Sequence, residues 1–340
     1  MTTRPLVSIV VPCRNEKQFI ADCLESLIEN DYAKECLEIL VIDGMSEDGT
    51  RQTIQKYSDR YPFVKMIDNP RKTMPTATNE GIRRASGKLI MVAGAHAIYP
   101  RDYVSRCAAA MCQYPVDNVG GVRRTESKDS HVMGRAIAFV LSSRFGAGSP
   151  AYHRSTDAPR WVDTVWGGCY RREVFERIGL FDEELSKGQD REFNQRLRDS
   201  GGKILQIPDL EVLYYTTRTD LKQYFRWMLL VGVTPFYAQR ICGRPLVKLR
   251  NFIPLVFVTA LTAAIAAALT LHNGVLILAV VLAPYASAAL GATIPLCRRE
   301  KDPRYLLVMP PLFAVTHILY GLGSIWGLLK PVPQKAARTL

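Results

Sequence analysis

Val7-Ser8-Ile9-Val10-Val11-Pro12-Cys13-Arg14-Asn15-Glu16 is the stretch on which the fold of this 340-residue chain turns. Its β-branched first half reads as a buried parallel strand, and its polar second half as the loop that follows. Ile20, Leu24, Leu27 and Ile28 then recur at helical spacing. The alternation continues. Leu37 to Ile42 predicts a second strand, Thr50 to Tyr57 a second helix and Val64 to Ile67 a third strand. Thr76 to Ala85 predicts a third helix that stops at Ser86-Gly87, and Leu89 to Ala93 the next strand. Strands alternating with helices at these spacings imply an α/β domain with a mostly parallel sheet, covered on both faces and joined by right-handed crossovers.

Tyr99 to about Arg160 is less periodic, with a helix expected near Tyr103 to Cys112 and a polar loop around Gly146 to Pro159. A helix from about Glu173 follows Arg171-Arg172. Another starts near Gln189, buries Phe193 and Leu197 and ends at Gly201-Gly202, before a strand from Ile204 to Ile207.

Charge divides the chain in two. From Val212 onward there are 14 Lys/Arg and 3 Asp/Glu, so that part carries +11 of the formal +12. The positive charge lies beside the longest apolar runs, which points to anionic lipid headgroups and away from nucleic acid. Leu221 to Arg250 mixes aromatics with basic residues, as helices in a membrane interface do. Phe252 to Leu271 and Val275 to Leu296 are uncharged and long enough to span a bilayer. Tyr305 to Leu329 is a third apolar run, interrupted by Pro310-Pro311. The expected organisation is residues 1–215 as a catalytic domain, 216–250 as interface helices and 251–330 as about three transmembrane helices. The basic loop Arg298 to Arg304 agrees with a cytoplasmic catalytic domain, whereas Lys330, Lys335 and Arg338 would lie outside after three crossings. The eight cysteines hold no CxxC pair and no zinc-ligand spacing, which suits reduced thiols in the cytosol.

In an open parallel sheet, ligands bind beyond the carboxyl ends of the strands. Three groups should meet there: Pro12 to Glu16, Asp43-Gly44 leading to Ser46 to Thr50, and Gly94-Ala95-His96. They offer carboxylates and amides for a base and ribose, and a helix N-terminus for phosphate. Neither GxGxxG nor GxxxxGK[ST] occurs, which disfavours dinucleotide-binding and P-loop enzymes.

With the residues Val7 to Glu16, Ile39 to Thr50, Asn79-Glu80-Gly81-Ile82, Trp166-Gly167-Gly168 and Gly188-Gln189-Asp190, the chain resembles glycosyltransferase family 2, in particular its succinoglycan-type, membrane-anchored branch. The resemblance covers roughly Val7 to Ile207. It implies a GT-A fold and inverting transfer from a nucleotide-sugar, with UDP as the expected nucleotide. Pro12, Arg14, Glu16, Asp43, Arg71, Lys72 and Gly94 would line the nucleotide-sugar site, with Asp43 reading the uracil edge. Asp190 matches the catalytic base; the alternative reading from the residues alone is a cap on the helix it starts. Gln189 stands where the family carries Glu. Gln223, Arg226 and Trp227 resemble the Q-x-x-R-W motif of processive synthases, at the acceptor and diphosphate.

Gly94-Ala95-His96 departs from the Asp-x-Asp or Asp-x-His motif that the resemblance leads one to expect. Gly94 cannot hold a ribose by a side chain. His96 is left as the candidate ligand of a divalent metal, Mn²⁺ suiting a lone imidazole better than Mg²⁺. The implied acceptor is a lipid-linked saccharide at the inner face of the cell membrane. The alternatives are a polyprenyl phosphate acceptor, or a degenerate member that binds nucleotide-sugar without turning it over.

Overall fold

The computed structural model describes residues 4–129, 131–148, 157–185, 187–218 and 220–332. Most of the expected loop at Gly146 to Pro159, and the tail residues Lys335 and Arg338, lie outside the described residues. The chain divides into two compact units, residues 1–124 with 150–215, and residues 125–149 with 216–340.

The first unit is built on one sheet. Its parallel half runs β3 (Val64–Asp68), β2 (Leu37–Asp43), β1 (Val7–Cys13) and β4 (Leu89–Val92). Every residue of β2 is buried, and so are six of the seven in β1, which is why both read as unbroken apolar runs. Side chains alternate between faces. Val7, Ile9 and Val11 pack with Ile20, Cys23, Leu24 and Leu27 of α1 (Ile20–Ile28). Val10, Leu40 and Ile42 pack with Ala77 and Ile82 of α3 (Met74–Arg84). A Cβ on Gly81 would lie 2.3 Å from Val10 Cγ1, so α3 can sit this close to the sheet only with glycine there. α2 (Thr50–Arg60) links β2 to β3.

Beyond β4 the sheet turns antiparallel, so it is mixed and not mostly parallel as the alternation suggested. β8 (Trp166–Arg171) pairs with β4, then follow β6 (Asn118–Ser127), β9 (Ile204–Thr216) and β5 (Ala97–Ile98), with β7 (Arg160–Trp161) also on β9. β9 runs well past the expected end at Ile207. α4 (Tyr103–Gln113), α7 (Arg172–Ile178) and α8 (Gln189–Asp199) complete the unit. The Ala85-Ser86-Gly87 block is scaffold: Gly87 N donates to Ser8 Oγ at 2.7 Å and Arg172 donates to the carbonyls of Gly87 and Ala85.

The second unit holds α5 (Val132–Ser142), α6 (Arg144–Ala147), α9 (Leu221–Cys242), α10 (Leu249–Thr270), α11 (Gly274–Glu300) and α12 (Tyr305–Leu329). The sequence reading left residues 125–149 in the first domain. Instead, Ala136, Ile137, Val140 and Leu141 of α5 are buried in one cluster with Met309, Leu312 and Phe313 of α12. Burying that apolar face decides where the segment belongs. α10, α11 and α12 are long and apolar enough to cross a membrane, with mean hydropathy of 2.3, 2.2 and 1.6. Leu249, Leu269 and Leu307 are each more than four-fifths exposed, which suits lipid and not water. α12 is continuous through Pro310 and Pro311.

Where several helices were expected between residues 216 and 250 there is one, α9, up to Cys242, and it packs in parallel against α12. Tyr224 bonds Thr316 at 2.7 Å, and further along, a Cβ on Gly323 would lie 2.2 Å from the Leu229 carbonyl and one on Gly327 2.5 Å from that of Val233. Small residues at this spacing let two apolar helices bring their backbones together.

Candidate active site

The loops after β1 and β2 are knitted into one surface. Asn15 N donates to Ser46 Oγ (2.8 Å), Glu47 N to Asn15 Oδ1 (3.0 Å), Glu16 N to Thr50 Oγ1 (2.8 Å) and Lys17 N to Asp48 Oδ2 (3.1 Å). Asn15 takes φ +55°, a left-handed conformation that asparagine tolerates. Gly44 is needed because Arg14 lies across it: a Cβ there would be 3.1 Å from Arg14 Cβ. Pro12 is half-buried and the Arg14 side chain is exposed.

Asp43 is fully buried at the end of β2. Its carboxylate accepts from Ser46 N (3.0 Å), Ser46 Oγ (2.5 Å) and Arg51 (2.6 Å), and Arg51 also bridges to Asp68 (2.8 Å). The carboxylate is thus paired and satisfied within its own chain. Asp48 accepts from Thr50 N and Oγ1 at the start of α2, which makes it a helix cap.

Arg71 and Lys72 follow β3, whose register sets Asp68 beside Asp43, so both project from the same carboxyl edge of the sheet. Asn69, buried, donates to the Thr73 carbonyl (3.0 Å) and bridges to Thr76, shaping the turn in which Lys72 takes φ +59°. Arg71 pairs with Glu183.

After β4, a Cβ on Gly94 would lie 3.0 Å from Cζ2 and 3.3 Å from Cη2 of Trp166. The indole occupies the space into which an acidic side chain at this position would grow. It stacks on Tyr99 (centroids 6.0 Å apart) and meets Tyr214 edge-on (5.3 Å). His96 Nδ1 bonds Glu16 Oε1 at 3.0 Å, and its ring stands edge-on to Tyr214 at 4.7 Å. Burial pulls the imidazole pKa down, but Tyr214 and the Glu16 carboxylate outweigh it and push the group up to about 9. His96 therefore holds its proton at neutral pH. Glu16 Oε2 is buried and has no hydrogen-bond partner among the described residues.

These residues do not fit a resident divalent metal. His96 offers one imidazole already bonded to Glu16, Asp43 is taken by Arg51 and Ser46, and Asp48 caps α2. Among the described residues no three His, Cys, Asp or Glu side chains converge.

Asp190 lies in the first turn of α8, exposed. The helix is entered through Gly188 at φ +78°, an N-cap residue with no side chain to offer, and Asp190 Oδ1 accepts from the first-turn Arg191 N at 2.8 Å. Its negative charge, after burial, helps to raise the pKa of Tyr170 on β8. Gln189, the departure from the family pattern, is buried and its Nε2 lies 3.1 Å from Met74 Sδ, at the start of α3 just beyond Arg71 and Lys72. A glutamate would bring a charge to that buried contact. Asn79 ties α3 to the connection between α7 and α8: its Oδ1 accepts from Phe181 N (3.0 Å) and its Nδ2 donates to Phe181 O (2.8 Å) and Glu183 Oε1 (3.0 Å).

Gln223, Arg226 and Trp227 belong to the second unit. Gln223 N caps onto Asp220 (2.9 Å), the Arg226 side chain is exposed, and Trp227 lies under the Arg218 guanidinium at 4.5 Å. Tyr214, Arg51 and Glu183 had no role in the sequence reading, and Trp166 entered it only as part of a block that carries the family resemblance. Tyr214 and His96 are 118 positions apart, and nothing local marks either as the other's neighbour.

The sequence profile named Glycosyl transferase family 2 matches residues 8–179, half of the chain. A Methanococcus voltae protein, dolichyl N-acetyl-alpha-D-glucosaminyl phosphate 3-beta-D-2,3-diacetamido-2,3-dideoxy-beta-D-glucuronosyltransferase, is 28% identical over 95% of this chain and 97% of its own length. Succinoglycan biosynthesis protein ExoA of Rhizobium meliloti (strain 1021) is 28% identical over 61% of this chain and 62% of its own length. Among solved structures, the mannosyltransferase PcManGT from Pyrobaculum calidifontis, determined with GDP-Man and Mn²⁺, superposes with a TM-score of 0.59 at 22% identity, over 96% of this chain and 88% of that one. That last likeness is one of fold.

Proposed function

The chain belongs to glycosyltransferase family 2 and is a glycosyltransferase of GT-A fold, and we propose that it moves a hexose, with inversion, from a UDP-sugar to a lipid-linked acceptor at the cytoplasmic face of the cell membrane, in polysaccharide assembly. The observation that carries this reading is Asp190: an exposed carboxylate in the first turn of α8, next to Gln189, which ties that helix to the start of α3 just beyond Arg71 and Lys72.

In this reading Asp190 accepts the proton of the acceptor hydroxyl as that oxygen attacks the anomeric carbon. The hydroxyl becomes acidic only as its new bond forms, so a weak base suffices if it is rigidly mounted. The leaving diphosphate gathers two or more negative charges. Arg71, Lys72, Arg14 and the protonated His96 are the cations the sheet edge offers to it. Among the described residues no set of metal ligands converges, and these cations are proposed to carry the leaving group's charge. Gln223, Arg226 and Trp227 are proposed to meet the acceptor. A lipid-linked acceptor is supported by the three long apolar helices and by the dolichyl phosphate-linked substrate in the name of the M. voltae relative.

The test is transfer from labelled UDP-hexoses in native membranes carrying the full chain or its Asp190→Asn variant. General-base loss costs about 10²–10⁴-fold. Turnover by the variant within a few-fold of the parent removes Asp190 as the base. Labelled product that does not extract with the membrane lipids removes the acceptor class.

A further inference from the structure

Glu183 stands at a junction that the proposed chemistry leaves unused. Its carboxylate pairs with Arg71, accepts from Asn79 Nδ2 at 3.0 Å and lies 3.6 Å from Arg83 Nη2. The side chain is only 22% exposed, whereas Arg71 is 67% exposed. Asn79 is 1% exposed and also holds both backbone polar groups of Phe181. Glu183 is therefore fixed and Arg71 is the movable partner. The segment from Phe181 to Gln189 is pinned to α3 at both ends, by Asn79 and by Met74, and Asp190 follows directly.

We infer that Glu183 is a positioning residue that competes with the donor's diphosphate for Arg71. The inference rests on Arg71 being a diphosphate ligand. An exposed ion pair is weak, so a diphosphate carrying two or more charges displaces Glu183 from Arg71. Glu183 then keeps Asn79 and Arg83, and the segment leading to Asp190 holds its place while the guanidinium turns to the donor. Once the sugar has left, Glu183 takes Arg71 back from the nucleoside diphosphate and so favours its release. Asn79 donation heads the causes that hold the Glu183 carboxyl below its usual range, with the Arg71 charge behind it, which keeps the competitor ionised at neutral pH.

The experiment is a binding cycle on the purified full chain in detergent, titrated calorimetrically with UDP and, separately, GDP. Glu183→Gln retains an acceptor for Asn79 and removes the charge. It should bind the preferred nucleoside diphosphate about two- to fivefold more tightly, the size of an exposed ion pair. Glu183→Asp should return towards the parent affinity. Arg71→Gln should bind more weakly, and the double variant should match Arg71→Gln alone. In turnover, Glu183→Gln should lower the donor KM without raising kcat. Unchanged affinity in Glu183→Gln overturns the inference, as does the same tightening persisting without Arg71. The binding readout does not need turnover, so a failure of Asp190 as base and a failure of this competition are seen separately.

Discussion

Gly94→Asp puts back the carboxylate expected at the first position of the motif, and the structure predicts that it weakens the protein. A Cβ at Gly94 would lie 3.0 Å from Trp166 Cζ2, tighter than ordinary van der Waals contact, so the ring has to give way to any side chain there. Trp166 cannot step aside freely, since it is stacked on Tyr99 and set against Tyr214. Overpacking of this kind costs about 1–3 kcal/mol, and in a unit of this size each kcal/mol moves the unfolding temperature by roughly 2–4 °C. A fall of about 4–8 °C is expected for a cost near 2 kcal/mol. Thermal unfolding of the full chain in detergent, followed by tryptophan fluorescence, measures it. Combining the change with Trp166→Ala should relieve the clash, giving an interaction energy of about 1 kcal/mol or more in the double-mutant cycle. A Gly94→Asp protein that unfolds at the parent temperature and binds nucleoside diphosphate more tightly refutes the reasoning, because the space over Gly94 would then be open to a ligand.

Two more predictions concern stability. His96 is raised from 6.5 to about 9 in the folded chain, so its contribution is complete below pH 6.5 and is lost as pH rises through about 9. At about 1.4 kcal/mol per unit the ceiling is roughly 3 kcal/mol; unfolding followed from pH 6 to 10 should show this loss in the parent and not in His96→Gln, and parallel profiles contradict it. In the second unit, Gly323→Leu should separate α9 from α12 and abolish a monodisperse protein in size-exclusion chromatography, since its Cβ meets the Leu229 carbonyl at 2.2 Å. Gly291→Leu in α11, where a Cβ meets nothing within 4 Å, should be tolerated, and equal behaviour of the two counts against the packing.

Local pattern was enough for the parallel half of the sheet. Its central strands β1 and β2 are rich in β-branched residues and buried on both faces, and helices follow at regular intervals, so β1 to β4 and α1 to α3 were readable within a few residues. The same holds for the three apolar helices, whose length and lack of charge need no partner to be recognised. The antiparallel half is different. β5 and β7 have two residues each, and β6 carries Gly120-Gly121 and Arg123-Arg124, a composition that favours no strand. Its glycines make sense only against the other strands, since a Cβ on Gly121 would lie 1.9 Å from the Leu210 carbonyl.

The sequence by itself determined which residues stand at the strand ends and helix start, because chain order and strand direction place Asp43, His96 and Asp190 there. Only the tertiary structure decided what each can do. It surrounded Asp43 with Arg51 and Ser46, set Trp166 against Gly94, joined His96 to Glu16 and Tyr214, and left Asp190 exposed in the first turn of its helix. The availability of a carboxylate or an imidazole depends on neighbours brought from distant parts of the chain, and periodicity along the chain does not encode them.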